Sequence, residues 1–409
     1  MFWPWIEQSI PGTRMFFCDP PGHTRPENIF KLFDNTRDEI DYVFFHDQEP
    51  VDIDLYDELF FKIWIMNLNL SANEVTTILT QNKNIHKYHT NFIRQCLLKK
   101  IPPSFDEFFN SYKDQILQEF NGIIPKQFTK FGKIVVSERG EKIQEIKEQF
   151  GWEPHYYFYH GWACQDWYRG YDRTFLIPRA KDREPTRTFI SPNRIIGGHR
   201  DHRVLFLYHV FKNKLEHNYI SAPRICSQEQ VDISTVASKY LNTYSDIVQY
   251  VESAELPRLF SGEKTQQMTS CWLSNFSEAQ DSLIYVPTET IYFGQRLHLT
   301  EKTFKAIALE MPFVLVAPCG SLEYLKEYGF QTFSSVFDES YDQETDDIKR
   351  LEKVIKLLKD IDQLSYKERQ QIHRACLPIV EHNFNHFYRG PFSDVLWKEL
   401  ETMLQGLYV

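Results

Sequence analysis

The stretch from Ser282 to Phe330 constrains the fold more than any other, because its hydrophobic pattern changes period in a fixed order. Leu283–Val286 is a short apolar run closed by Pro287, the pattern of a buried strand. Phe304, Ile307, Ala308 and Met311 then recur at helical spacing behind Glu301 and Thr300, a good N-cap residue. Pro312 stops that helix, Phe313–Ala317 is an uncharged buried-type strand, and Cys319-Gly320-Ser321 turns into a further helix. Two βα units in succession require a parallel sheet, and such sheets bind ligands beyond the carboxyl ends of their strands. Glu289, Thr300, Glu301, Lys302 and Ser321 all fall at that edge.

Glu301-Lys302 at a helix start admits two readings. In one, the carboxylate accepts hydrogen bonds from a ribose diol while the ammonium and the first-turn N–H groups hold a diphosphate. In the other, Glu301 merely complements the helix dipole and Lys302 is solvated.

Strand–helix alternation continues upstream. Tyr42–Phe45 is a strand running into His46-Asp47-Gln48-Glu49-Pro50, either a chemistry-bearing strand edge or a polar loop opening a helix. Lys133–Ser137 is a strand followed by a charged helix over 141–150; Tyr156–Tyr159 is another, ending in His160-Gly161-Trp162. This spacing predicts a doubly wound N-terminal domain. Arg179–Thr186 is charged, aperiodic and contains Pro185, so it is the expected interdomain linker. Phe189–Ser191 opens the second domain as a strand, and Ile195–Asp201, with Gly197, Gly198 and Arg200, leads into a helix from His202 to Leu215. A strand, a glycine-containing basic loop and a helix suit a phosphate, although the spacing matches no nucleotide fingerprint. Further helices are expected over 348–358, 366–376 and 392–407, and Asp338–Asp347 reads as a solvated acidic turn.

A chain of 409 residues is long enough for two or three domains. The net charge of −10 argues against a broad nucleic-acid-binding face. Eight arginines between Arg169 and Arg203 leave room for a local basic cleft. The seven cysteines are scattered, with no C-x-x-C pair, which points to neither a zinc site nor a disulfide frame. No apolar stretch of spanning length and no signal-peptide pattern stands out, so a soluble cytoplasmic protein is expected.

The segment HLTEKTFKAIALEMPFVLVAPCGSLEYLKEYGF (298–330) resembles the donor-binding region of GT-B glycosyltransferases, above all the TEK segment of the α-1,3-fucosyltransferases. It is still more similar to glycosyltransferase-like proteins of marine phages and other large viruses. That resemblance continues through DESYD (338–342) and back to FISPNRIIGGHRDHR (189–203), YYFYHGWACQDWYRGY (156–171) and FFHDQEP (44–50).

It implies an α/β protein of GT-B type, with two Rossmann-like doubly wound domains facing a central cleft. They would span residues 1–185 (acceptor side) and 186–376 (donor side), with helices over 377–409 crossing back onto the first. It implies a metal-independent transferase using a nucleotide-diphosphate sugar as co-substrate, with no further cofactor, and a glycan as the foremost acceptor. Glu301 would hold the ribose, and Lys302 with Arg194 and Arg203 the diphosphate, Arg200 being the reserve; Glu289, Thr300 and Ser321 would line the donor site. An inverting transfer would also need a general base, for which Asp47 and Glu49 are the candidates with His160 third, whereas a retaining one needs none and HDQEP would then bind the acceptor. Two alternatives accompany this reading: a phage-type DNA glycosyltransferase acting on a modified pyrimidine, with a basic groove built from the arginines at 169–187, and a non-catalytic nucleotide-sugar-binding protein. If the chain is viral, the compartment is the cytoplasm of the host cell.

Overall fold

The computed structural model describes residues 13–17, 41–46, 50–51, 83–100, 102, 107–108, 111–112, 115–116, 131–174, 177–226, 230–260, 263 and 272–408. Asp47 and Glu49 lie outside the described residues. The fold is mixed α/β, with helices around small parallel sheets. The chain divides into one unit formed by residues 1–136 and 142–155 and a second formed by 137–141 and 156–407.

In the first unit, β1 (Thr13–Phe17), β2 (Asp41–His46), β3 (Phe131–Val136) and β5 (Glu153–Tyr156) form a sheet in that order. β1 pairs with β2, and β2 with β3, in parallel register. The helices are α1 (Lys83–Lys99) and α2 (Glu141–Phe150). α1 buries Ile85, Phe92 and Cys96 along one stripe, and Phe92 meets Phe108 at a ring separation of 5.6 Å.

The second unit opens with β4 (Arg139–Gly140), α3 (Tyr159–Trp167) and α4 (Tyr171–Thr174). Then come β6 (Arg187–Ser191), α5 (His202–Lys212), β7 (Tyr219–Ile220), α6 (Ile233–Ser238), α7 (Ile247–Ser253) and α8 (Phe276–Gln280). They are followed by β8 (Ser282–Tyr285), β9 (Arg296–Leu297), α9 (Glu301–Ala308) and α10 (Ser321–Glu327). α11 (Asp347–Asp362), α12 (Tyr366–Tyr388) and α13 (Phe392–Tyr408) close the chain. The strand order is β7-β6-β8, all parallel. Phe313 and Val316 extend it through parallel bridges to Tyr285 and Thr288. Chain direction across the sheet therefore reverses between β6 and β8, a topological switch point whose crevice lies beyond the strands' carboxyl ends. Both faces are covered, which is why β8 and residues 313–317 are buried throughout.

Two expectations need correcting. Arg179–Thr186 is not a linker: Arg183 is buried and donates to the carbonyls of Pro178, Leu309 and Glu310, while His373 and Gln370 of α12 bind the Ala180 and Pro185 carbonyls. The division falls instead between His155 and Tyr156, so residues 156–185 belong with the second unit. The last helices do too. Phe392 and Leu396 of α13 meet Gly161 so closely that a Cβ there would lie 3.1 and 3.0 Å from them, and Glu399 accepts the Phe158 N–H at 2.7 Å. The reason is packing: Phe304 of α9 stacks among Phe158, Phe387 and Phe392 at 5.7 Å each, joining α3, α9, α12 and α13 in one core.

Candidate functional site

The carboxyl ends of β6 and β8 carry a buried polar network. Thr288 Oγ1 donates to Asn193 Oδ1 at 2.8 Å, and Asn193 Nδ2 donates to the carbonyl and hydroxyl oxygens of Ser191, each at 3.1 Å. Ser221 Oγ accepts from Asn193 N and donates to Glu263 at 2.8 Å. Burial pushes the Glu263 carboxyl above its ordinary range, and the Ser221 hydroxyl, Arg194 and Lys305 oppose that.

Glu289 follows β8 and is fully buried under the first turn of α9. It accepts from Thr300 N (3.2 Å), Thr300 Oγ1 (2.6 Å) and Thr303 Oγ1 (2.6 Å). Thr300 thus stands at the N-cap with extended backbone, but its hydroxyl points away from the helix and Glu289 supplies the negative charge that α9 favours. Lys302 Nζ donates to Thr290 Oγ1 (3.0 Å) and Thr300 Oγ1 (2.9 Å), and lies 3.2 Å from Glu301 Oε1. Burial acts to raise the Glu301 carboxyl, but Lys302, His160 and Lys305 together hold it well below the usual carboxylate range. Glu301 is therefore ionised at neutral pH with its side chain 13% exposed.

The arginines separate. Arg203 is buried, and its guanidinium donates to the carbonyls of Ile195 (2.6 Å), Thr288 (2.6 Å) and Glu289 (3.3 Å). It ties the loop after β6 to the loop after β8. Arg194 is half-buried and faces Glu263 electrostatically; Arg200 sits at the start of α5 beside Arg203. Ser321 is fully buried and its hydroxyl donates to the Pro318 carbonyl at 2.7 Å, a turn contact. The acidic turn is not simply solvated: Asp342 is buried and accepts from Leu322 N at 3.0 Å, capping α10.

Three helices thus begin near this edge, and two already have a carboxylate at their N-terminus. The third, α5, has Asp201 at its N-cap, but that side chain makes no cap and pairs with Lys239 at 2.8 Å. Around it the glycines 197 and 198 adopt positive φ of 106° and 57°. Counting the charges that act on one another here, Arg194, Arg200, Arg203, Lys302 and Lys305 outnumber Glu263, Glu289 and Glu301. The balance is two positive charges, which suits an anion.

His160 stands in this same unit, on α3, and not on the first; it is buried and acts on Glu301. Its ring lies 5.5 Å from that of His298, edge to face. His298 is fully buried and its Nδ1 lies 3.0 Å from the Ser137 carbonyl, so Nδ1 carries the proton. Burial, with His160 adding to it, keeps His298 far below its ordinary value, hence neutral. Sequence reasoning missed His298, Lys305 and Glu263. Lys305 had a signal, four residues after Glu301 on one helix face; Glu263, in an irregular polar stretch, had none.

Around the arginines at 169–187, Arg169 pairs with Asp166, Arg179 with Glu310, and Arg183 is buried. Arg173 and Arg187 are exposed. Among the described residues no helix is long and apolar enough to cross a membrane. Neither a protein-family model nor a curated protein matches the chain.

Proposed function

We propose that this protein is a glycosyltransferase of GT-B type, taking a nucleotide-diphosphate sugar at the edge built by β6, β8, α5 and α9. The observation that carries the reading is an ionised Glu301, paired to Lys302, beside an uncapped helix start at a topological switch point with surplus positive charge. Glu301 would accept from the ribose diol. The diphosphate would lie at the start of α5 with Arg194 and Arg200, because Glu289 already occupies the start of α9 and a second anion there would be repelled. Lys302 would exchange its Glu301 contact for a phosphate oxygen, which frees Glu301 for the sugar ring of the nucleoside. These cations then offset the charge that develops on the leaving diphosphate. His160 would position Glu301 from α3. The general base and the acceptor stay with the Asp47–Glu49 segment, and a glycan remains the foremost acceptor class.

Thermal unfolding against UDP-, GDP-, ADP- and CMP-sugars tests this, run beside Glu301→Ala. A ligand at a hundred times its Kd stabilises by roughly 3 kcal/mol. A shift with one nucleotide class, lost in the variant, is expected. Folded protein that shifts with none of them would remove the reading.

A further inference from the structure

Helix α1 carries Lys83, Lys87, Arg94 and Lys99, Lys100 follows it, and no Asp or Glu occurs from 83 to 100, in a chain whose net charge is −10. Its buried stripe is Ile85, Phe92 and Cys96. At 100° per residue, Lys87, Arg94 and Leu98 fall on the opposite side, with Leu97 adjoining. Leu97 and Leu98 are 73% and 77% exposed, the two most exposed large apolar side chains among the described residues. The segment packed on the helix, through Phe108 against His89 and Phe92, contributes one described acidic residue, the exposed Glu107. The exposed tip is therefore two adjacent leucines set among three cations.

We propose that this tip docks the protein on the surface of an anionic bilayer. Leu97 and Leu98 enter the boundary between headgroups and acyl chains, while Arg94, Lys99 and Lys100 meet lipid phosphates. A nucleic-acid strand would use the cations but gives the leucines nothing to bury; a membrane surface uses both. The proposal is independent of the glycosyltransferase reading, and needs no spanning helix.

The experiment is co-sedimentation of the full chain with phosphatidylglycerol–phosphatidylcholine vesicles and with phosphatidylcholine alone. Wild type is expected to bind the anionic vesicles only, and to be released by salt. The double variants Leu97→Asp/Leu98→Asp and Lys99→Glu/Lys100→Glu should each weaken binding by about tenfold or more, with unchanged melting curves because the side chains are exposed. No binding to anionic vesicles, or binding indifferent to the two leucines, overturns the proposal. So does capture of duplex DNA that depends on Lys99 and Lys100 and ignores the leucines, which would make the helix a nucleic-acid surface.

Discussion

Two arginines nine positions apart, Arg194 and Arg203, look alike in the sequence and do different work. Arg203 spends its buried fork on three carbonyls. Burial pulls it down to about 9, Arg200 adding to this and Glu289 opposing it, so it stays charged at neutral pH. A lysine there offers a point charge on a flexible stem and cannot reproduce the fork. Arg203→Lys is therefore expected to lose about 2–4 kcal/mol of stability, read from the urea midpoint. Arg194→Ala should change that midpoint by less than about 0.5 kcal/mol, yet weaken nucleotide-sugar binding in calorimetry. Equal destabilisation by both variants would mean that Arg194 is structural as well.

At the scale of elements, the entry into α9 depends on a short ladder. β4 pairs antiparallel with β9, Arg139 opposite Leu297 and Gly140 opposite Arg296. Gly140 has φ of +133°, and a Cβ there would stand 2.1 Å from the Gln295 carbonyl oxygen. Beside it, Arg296 makes a two-pronged ion pair with the fully buried Glu138 carboxylate at 2.5 and 2.7 Å. Gly140→Ala is thus expected to cost about 2–4 kcal/mol and to speed amide exchange over residues 296–300. Unchanged exchange there would show that the ladder does not hold α9 in place.

None of this ladder was legible in the sequence, since two-residue strands leave no periodicity. The βα units of 282–330 were legible because strand and helix periods alternate cleanly between Pro287, Pro312 and Gly320. The sequence predicts α12 only to Cys376, since Pro378 suggests a helix end, but the helix runs on to Tyr388 because packing of Val380, Phe384 and Phe387 outweighs the lost hydrogen bond. The supposed linker failed for a related reason. Charge usually marks solvent, and Arg183 is instead buried with carbonyl partners.

Over the whole molecule, the second unit holds many imidazoles out of water. Burial is the leading cause that lowers His202, His209, His298, His373 and His386 below their ordinary value. For His209 the fall is to about 4, with Glu352 and Asp246 opposing it and Lys212 adding to it. A histidine depressed in the fold takes up its proton more readily when unfolded, so its contribution is complete above pH 6.5 and fades as pH falls towards the folded value. His209 alone should remove about 1.5 kcal/mol between pH 6.5 and 5, a sizeable part of a typical domain's stability of about 5–15 kcal/mol. Glu301, held low, loses its contribution only further into acid. Glu263, Glu339, Asp342 and Glu399 are raised by burial, so their protonation favours the fold and opposes the trend as pH drops from their folded values to the ordinary carboxylate range, below which they add nothing more. The steepest loss therefore belongs to the upper part of the imidazole interval, before the raised carboxyls take up protons. Denaturant unfolding at pH 7, 6 and 5 should show stability falling at each step, and His209→Gln, which keeps a partner for the Tyr244 hydroxyl now 3.2 Å from Nε2, should flatten part of that slope. A flat profile in wild type would mean that these rings reach water or a counter-charge when protonated, and that the core around α5 is looser than its packing implies.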